Sequence, residues 1–450
     1  MKSRLLLISL LLLTLAVVPM LLHAQSPYYS VKHPGWSKDA TIYELNVRQF
    51  SQEGTFKAVI PKLSKIKALG VDIIWIMPIN PIGVKNRKEP LGSYYSVRDY
   101  LAINPEFGNK SDFKALVDSI HGHGMKVIVD WVANHTSWDN PLAKEHPNWY
   151  KHDKNGHFVP PVKDWSDVIA LDYTKPGLRK YMINAMDYWV RNFNIDGYRC
   201  DVAGMVPIDF WIQARKSLDA IKPVFMLAEA EGPKFHEAFD MTYGWVFFHL
   251  FNDIAQGKAT ADQLTVLLNK EERIYPADSY RMRFTSNHDE NSWNGTVFER
   301  LNGGAKTFAV LACTMDGMPL VYNGQEAGMD KRLKFFDRDP IVWKSSPFRE
   351  LYTKLFDLKH ENAALGNGDI GGRMIVLSNT QPRYVYVFTR EKAGHKVLVI
   401  LNLSNKPQKV TITGSTMRGD FSELFTGQKK TFTDNETMNL KPWAYYVWRN

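Results

Sequence analysis

Short apolar, β-branched runs alternate along this chain with longer stretches whose apolar positions recur at helical spacing. Eight runs read as strands, at 41–47, 71–77, 126–132, 197–202, 224–228, 239–242, 281–286 and 319–322. Between them, 55–69 reads as a helix stopped by Gly70, and Ser111 stands where it can cap a helix running to His121. Pro176 suits the first turn of another helix, in which Leu178, Tyr181, Met182, Ala185 and Trp189 form one apolar stripe. This alternation predicts an α/β fold with a parallel sheet.

Two regions break the pattern. Residues 136–170 are rich in Trp, Pro, Asp, His and Lys with little periodicity, and read as an insertion after the third strand. From residue 367 the helical periods stop. Runs at 384–389, 396–403, 410–413 and 443–448 predict a small antiparallel β domain over 367–450. A barrel of roughly 250 residues then fits in 25–135 and 171–366.

Residues 1–24 read as a secretory signal. Lys2 and Arg4 precede an apolar run from Leu5 to Leu22, and Ala24 offers a small residue before Gln25. The expected location is secreted or periplasmic, with no membrane span after cleavage. The length of the run leaves an uncleaved membrane anchor as the alternative. The formal charge of +9 comes without a dominant Lys/Arg block, which suggests a solvated basic surface and no nucleic-acid partner. Two cysteines, Cys200 and Cys313, make no disulfide framework, and no Cys/His spacing suggests a metal site.

Four segments place acids where strands should stop. They are Val127-Ile-Val-Asp-Trp-Val-Ala-Asn-His-Thr136, Asp196-Gly-Tyr-Arg-Cys-Asp-Val202, Phe225-Met-Leu-Ala-Glu-Ala-Glu231 and Phe284-Thr-Ser-Asn-His-Asp-Glu290. A strand-plus-helix unit takes about 30 residues. Asp201 to Glu229 spans one unit, Glu229 to Asp289 spans two, and Asp130 to Asp201 spans one plus the insertion. The acids thus fall on strands 3, 4, 5 and 7, whose C-terminal ends share the face where barrel active sites form. Arg199, two residues before Asp201, points the same way and should keep that carboxylate ionised. Cys200 points to the helix layer. Glu231 shares a strand face with Glu229 and is the alternative acid.

In order, these segments resemble the four signature regions of the α-amylase family, glycoside hydrolase family 13. Gly92-Ser-Tyr-Tyr-Ser-Val-Arg-Asp-Tyr100, Ile169-Ala-Leu-Asp172 and Pro319-Leu-Val-Tyr-Asn-Gly-Gln-Glu-Ala-Gly328 are similar to further family segments. The resemblance implies a (β/α)8 TIM barrel, a short inserted B domain after strand 3 and a C-terminal antiparallel β-sandwich. It implies Asp201 as nucleophile, Glu229 as general acid/base and Asp289 as a stabilising carboxylate. Tyr95, His135, Arg199 and His288 would form the substrate-binding set, braced by Asp130 and Asn134. The implied activity is retaining hydrolysis of α-1,4 bonds in starch-like glucans or maltooligosaccharides. Alternatives are an oligosaccharide α-glucosidase, a neopullulanase-like enzyme or a transglycosylase, and, from another class, a non-catalytic glucan-binding relative. Val202 follows the nucleophile as in some members that accept α-1,6 linkages. No cofactor is required. Ca2+ is possible, but Ala170 and Met205 replace residues that help hold a structural calcium in many members.

Overall fold

A computed structural model describes Tyr28 and residues 30–450, so the signal-like segment 1–24 lies outside the described residues. In chain order the first ten strands are β1 (Ile42–Leu45), β2 (Ile73–Ile76), β3 (Lys126–Trp131), β4 (His135–Ser137), β5 (Val168–Ala170), β6 (Gly197–Cys200), β7 (Phe225–Ala228), β8 (Met241–Tyr243), β9 (Tyr280–Arg283) and β10 (Met318–Tyr322). All but β4 and β5 pair in parallel and close in the order β1-β10-β9-β8-β7-β6-β3-β2. The chain forms a TIM barrel, with each predicted run supplying one stave.

Side-chain alternation separates two apolar layers. Ile42, Ile73, Trp75, Ile128, Phe225, Leu227, Met282 and Leu320 pack inside the barrel. Their sequence neighbours Tyr43, Ile74, Val127, Val129, Tyr198 and Met226 face the outer helices. Every position in these strands except Lys126 is buried on one side or the other, so they read as nearly continuous apolar runs. Gly197 is obligatory. A Cβ there would lie 1.8 Å from the Phe225 carbonyl oxygen, and its φ is +149°.

Two helix expectations change in detail. The 55–69 helix breaks into Phe56–Val59, a 3-10 turn at Ile60–Lys62 and Leu63–Lys67, because Pro61 has no N–H to continue the ladder. The helix Lys110–Gly122 is capped by Asn109 rather than Ser111. Asn109 accepts the Asp112 N–H at 3.0 Å and the Asp112 carboxylate accepts the Asn109 N–H at 3.3 Å. That reciprocal box satisfies two end groups at once, which Ser111 could not do from inside the first turn.

The excursion between β3 and β6 is closed at its base by the antiparallel pair β4–β5, with His135 opposite Ala170 and Thr136 opposite Ile169. The C-terminal strands are β11 (Met374–Val376), β12 (Ser378–Asn379), β13 (Val385–Lys392), β14 (His395–Asn402), β15 (Gln408–Thr413), β16 (Gly419–Glu423), β17 (Lys429–Phe432), β18 (Asn435–Leu440) and β19 (Tyr445–Arg449). They form a six-stranded and a three-stranded sheet over a shared core that includes Val387, Ile400, Ile412, Leu440 and Trp448.

Arg390 of β13 joins this β domain to the barrel. Its guanidinium donates to the carbonyls of Thr314 and Met315, at the end of helix Ala305–Thr314, and to those of Gly366 and Gly372. The helix C-terminus carries partial negative charge, which favours a cation there. Even so, burial pushes the Arg390 guanidinium down to about 10. No helix among the described residues is long and apolar enough to cross a membrane.

Candidate active site

The interior positions nearest the C-terminal mouth of the barrel are polar. In β1, β3 and β6 these are Glu44, Asp130 and Arg199, and Asp201 and Glu229 lie just beyond β6 and β7. Register brings them level, with Glu44 beside Trp75 and Asp130 beside Arg199.

Arg199 is the hub. It is fully buried, with its guanidinium 4.9 Å from the centre of the Trp75 ring and 5.7 Å from those of Tyr95 and Tyr243. Its Nη1 donates to Asp130 Oδ1 at 2.9 Å and to Asp201 Oδ1 at 3.1 Å. Its Nη2 lies 2.8 Å from Glu229 Oε2 but out of line for a hydrogen bond, and has no other partner. Arg199 was expected among the substrate-binding residues. It lies beneath the carboxylates, with Nη1 bonded to Asp130 and Asp201 and Nε to the Tyr243 hydroxyl.

Asp130 is also fully buried and accepts from Trp75 Nε1 at 3.2 Å and from the Tyr95 hydroxyl at 3.1 Å. Both Asp201 and Glu229 are pushed upward, first by burial. For Asp201 the Glu229 charge adds to the push and outweighs Arg199, against the expectation that Arg199 keeps this carboxylate ionised. For Glu229, Arg199 opposes the burial effect while Asp289 reinforces it. With three carboxyls around one guanidinium in a low-dielectric pocket, burial and mutual repulsion favour a proton on the Asp201–Glu229 pair.

Glu229 Oε2 also accepts the Val202 N–H at 2.7 Å. Val202 is left-handed, at φ +33° and ψ +46°. That conformation costs a β-branched residue about 1–3 kcal/mol, and here it turns the main-chain N–H toward Glu229. Glu231, the alternative acid, is tied elsewhere. Its Oε1 accepts from Arg281 Nη2 at 2.8 Å and from the Val246 N–H at 3.3 Å.

Opposite this pair, His288 Nε2 lies 2.7 Å from the Tyr95 oxygen and 3.2 Å from Asp289 Oδ2. Its Nδ1 lies 2.5 Å from Glu44 Oε1. The Tyr95 hydroxyl donates to Asp130, so it accepts from His288, and both ring nitrogens of His288 carry protons. Burial opposes the charge, but Asp289 and Glu44 outweigh it and hold His288 well above the usual histidine range. Burial would raise Asp289, yet His288 and then Arg199 bring its carboxyl below the ordinary aspartate value. Asp289 is the most open of the three acids, with its side chain 34% exposed against 9% for Asp201 and 13% for Glu229.

Glu44 was missed in the sequence. Its signal was an acid inside the otherwise apolar stave Ile42–Leu45. His135 is buried beside the Asn134 amide, with its ring against Trp165, and burial pushes it down to about 4, so it is neutral. Tyr95 stacks on His288 at 5.4 Å. Asn134 is buried beside His135.

The calcium position offers few side-chain oxygens. Asn134 Nδ2 faces Met205 Sδ at 4.0 Å, the Asn134 carbonyl accepts the Leu171 N–H, and Ala170 brings no oxygen on its side chain. Asp172 is occupied by Thr174 and Lys175. A calcium ion needs six to eight oxygen ligands, and no group of three or more His, Cys, Asp or Glu able to hold a metal occurs among the described residues. A cavity of about 550 Å3 at the other end of the barrel, lined by Trp36, His121, Lys126 and Asp196, holds none of these acids. Its Asp196 is already paired with His121 and Lys222.

Two buried carboxyls pushed upward beside a third that is held down, set on aromatic rings at the mouth of a barrel, are the apparatus of a glycoside hydrolase. Known proteins resemble this chain along most of its length. The alpha amylase catalytic domain profile matches residues 35–167 and 143–350, and the alpha-amylase SusG C-terminal domain profile matches 385–446. The solved maltogenic alpha-amylase AmyB from Thermotoga neapolitana is 32% identical, with a TM-score of 0.84 over 91% of this chain and 98% of its own. An alpha-amylase from Lactobacillus plantarum is 34% identical, with a TM-score of 0.82 over 92% and 99%. Alpha-amylase MalA of Haloarcula japonica is 25% identical over 90% of this chain, which spans 60% of that relative's length. Other relatives are named Cyclomaltodextrinase and Neopullulanase 2. The chain belongs to the alpha-amylase family and is a glycoside hydrolase.

Proposed function

We propose that this protein hydrolyses α-1,4-glucosidic bonds of starch-like glucans or maltooligosaccharides with retention, using Asp201 as nucleophile and Glu229 as acid/base. The observation that carries this reading is the convergence of both carboxyls on the single guanidinium of Arg199. Glu229 Oε2 is held by the Val202 N–H, which leaves Oε1 to carry the proton. An Asp201 oxygen attacks the anomeric carbon while the glycosidic C–O bond breaks, and Glu229 protonates the departing oxygen. Glu229 then takes a proton from water, which attacks the glycosyl-Asp201 ester and frees the sugar and the carboxylate. Asp289, kept ionised by His288, stabilises the positive charge that develops on the sugar ring. Tyr95 stacks on the reacting sugar, and His135 and His288 hydrogen-bond its hydroxyls.

The segment 1–24 supports a secreted or periplasmic enzyme. Val202, together with the names Cyclomaltodextrinase and Neopullulanase 2 among the relatives, favours a second reading in which α-1,6 bonds or cyclic glucans are also cut. The test is reducing-sugar release from soluble starch by wild type and Asp201→Ala, with product profiles on starch, pullulan and cyclodextrin. Loss of activity in Asp201→Ala is expected, and starch hydrolysis at the wild-type rate by that variant would refute the assignment. Release of glucose alone from chain ends would exclude endo-action, and maltotriose from pullulan would mark cleavage of α-1,6 bonds.

A further inference from the structure

The residues after Asp289 form one π-helical turn, Glu290–Asn294, ending at Gly295 with φ +116°. Such turns are rare and cluster at functional sites, because the wider winding re-aims a side chain. Here the side chain is Trp293. It stands four residues beyond Asp289 and stays 51% exposed at the mouth of the barrel.

Exposed tryptophan is costly, yet this one is braced from behind. Its ring centre lies 5.0 Å from that of Phe335 and 5.7 Å from that of Phe336. Phe335 lies nearly parallel to Tyr95, at 20° and 6.2 Å. The loop carrying both phenylalanines is fastened to the barrel. Gln49 Nε2 donates to the carbonyls of Lys334 and Asp337, and Arg48 donates to that of Phe335. The result is an unbroken aromatic run from Tyr95 at the scissile centre outward to Trp293.

The direction of this run follows from the barrel. Glu229, which faces the leaving group, lies at the end of β7, on the β6–β7 side. Tyr95 and Phe335 come from the segments after β2 and β10, across the mouth from β7, and Trp293, from the segment after β9, leans on that far side through its contact with Phe335. Resting on the functional reading above, we propose that Trp293, backed by Phe335 and Phe336, is a stacking platform for the α-glucosyl unit adjoining the cleaved one on the side away from Glu229. Apolar sugar faces pack on such rings, and Phe335 and Phe336 hold this one in place from behind. The platform thereby favours chains that extend past the reacting sugar.

The test uses full-length Glu229→Gln enzyme, which is expected to bind without turnover, titrated calorimetrically with maltotriose. Adding Trp293→Ala is expected to weaken binding about tenfold, and adding Trp293→Phe, which keeps a ring, less than about threefold. Equal affinity in all three proteins overturns the proposal, as does absence of maltotriose binding to the folded Glu229→Gln protein. A Phe variant as weak as the Ala variant also overturns it, since the N–H alone would then matter. Starch hydrolysis by the wild type separates the two readings. A wild type inactive on starch sinks the function, whereas an active one with unchanged affinities sinks only the platform.

Discussion

Replacing Glu44 by Gln tests the charge arrangement beneath the cleft. Glu44 is fully buried in β1, and its Oε1 accepts from both the ring Nδ1 and the main-chain N–H of His288. Glutamine can keep the hydrogen bond while losing the charge. A hydrogen bond to a charged group contributes about 1.5–3 kcal/mol and a neutral one about 0.5–1.5 kcal/mol. The exchange therefore removes about 1.4 kcal/mol, or about tenfold in kcat/KM. His288 holds its proton more tightly folded than unfolded. Its stabilising effect is complete below the ordinary histidine range and is lost as pH rises through the raised folded value. Glu44→Gln lowers that folded value, so the alkaline limbs of both kcat/KM and stability move to lower pH. Glu44 acts through His288 as a positioning residue, and a merely structural role would leave the limb in place. The assay is kcat/KM on a soluble maltooligosaccharide across the alkaline range, with thermal melts on the same samples. An unmoved alkaline limb with kcat/KM within about twofold of wild type would refute the reasoning.

Two further predictions concern the scaffold. Lys359 is buried in the last barrel helix, where its Nζ donates to the carbonyls of Leu365 and Gly317 and to Asn367 Oδ1, and burial pushes it down to about 7 from an ordinary 10.5. Between those values the unfolded chain binds a proton that the folded one does not, so stability should rise with pH across this window. Calorimetry should show that slope flattened in Lys359→Met, and an identical slope in both proteins would count against the buried neutral lysine. Chelation with EDTA should shift Tm by less than about 2 °C, because Ala170, Met205 and the occupied Asp172 leave calcium too few oxygens. A larger fall, restored by calcium, would contradict this.

The barrel was legible because its strands are buried on both faces, so burial appears directly as apolar runs with an acid at the end. The acids converge because all parallel staves end on one face, which ordering along the chain was enough to reveal. Strands β16, β17 and β18 were not legible. Gly419–Glu423, Lys429–Phe432 and Asn435–Leu440 each bury only a few side chains, and their exposed positions carry Lys, Thr, Asp and Asn. Polar edges of that kind lack the β-branched signature, and the partner sheet supplies their apolar cover. Glu44 and Trp293 escaped for a different reason. Each is defined by a contact across hundreds of residues or by a π-turn, neither of which leaves a periodic trace. Asn109 displaced Ser111 as a cap through a reciprocal bond that depends on the exact first turn.

The Arg390 linkage constrains how this enzyme can be taken apart. One guanidinium fills four carbonyls belonging to the helix end and to the Gly366–Gly372 crossing. Removing the C-terminal sheets would strip those acceptors of their donor while leaving them sheltered from water. Shortened versions ending near residue 370 should therefore aggregate instead of surviving as free barrels, and grafting a foreign β module would succeed only where it brings a cation to the same spot.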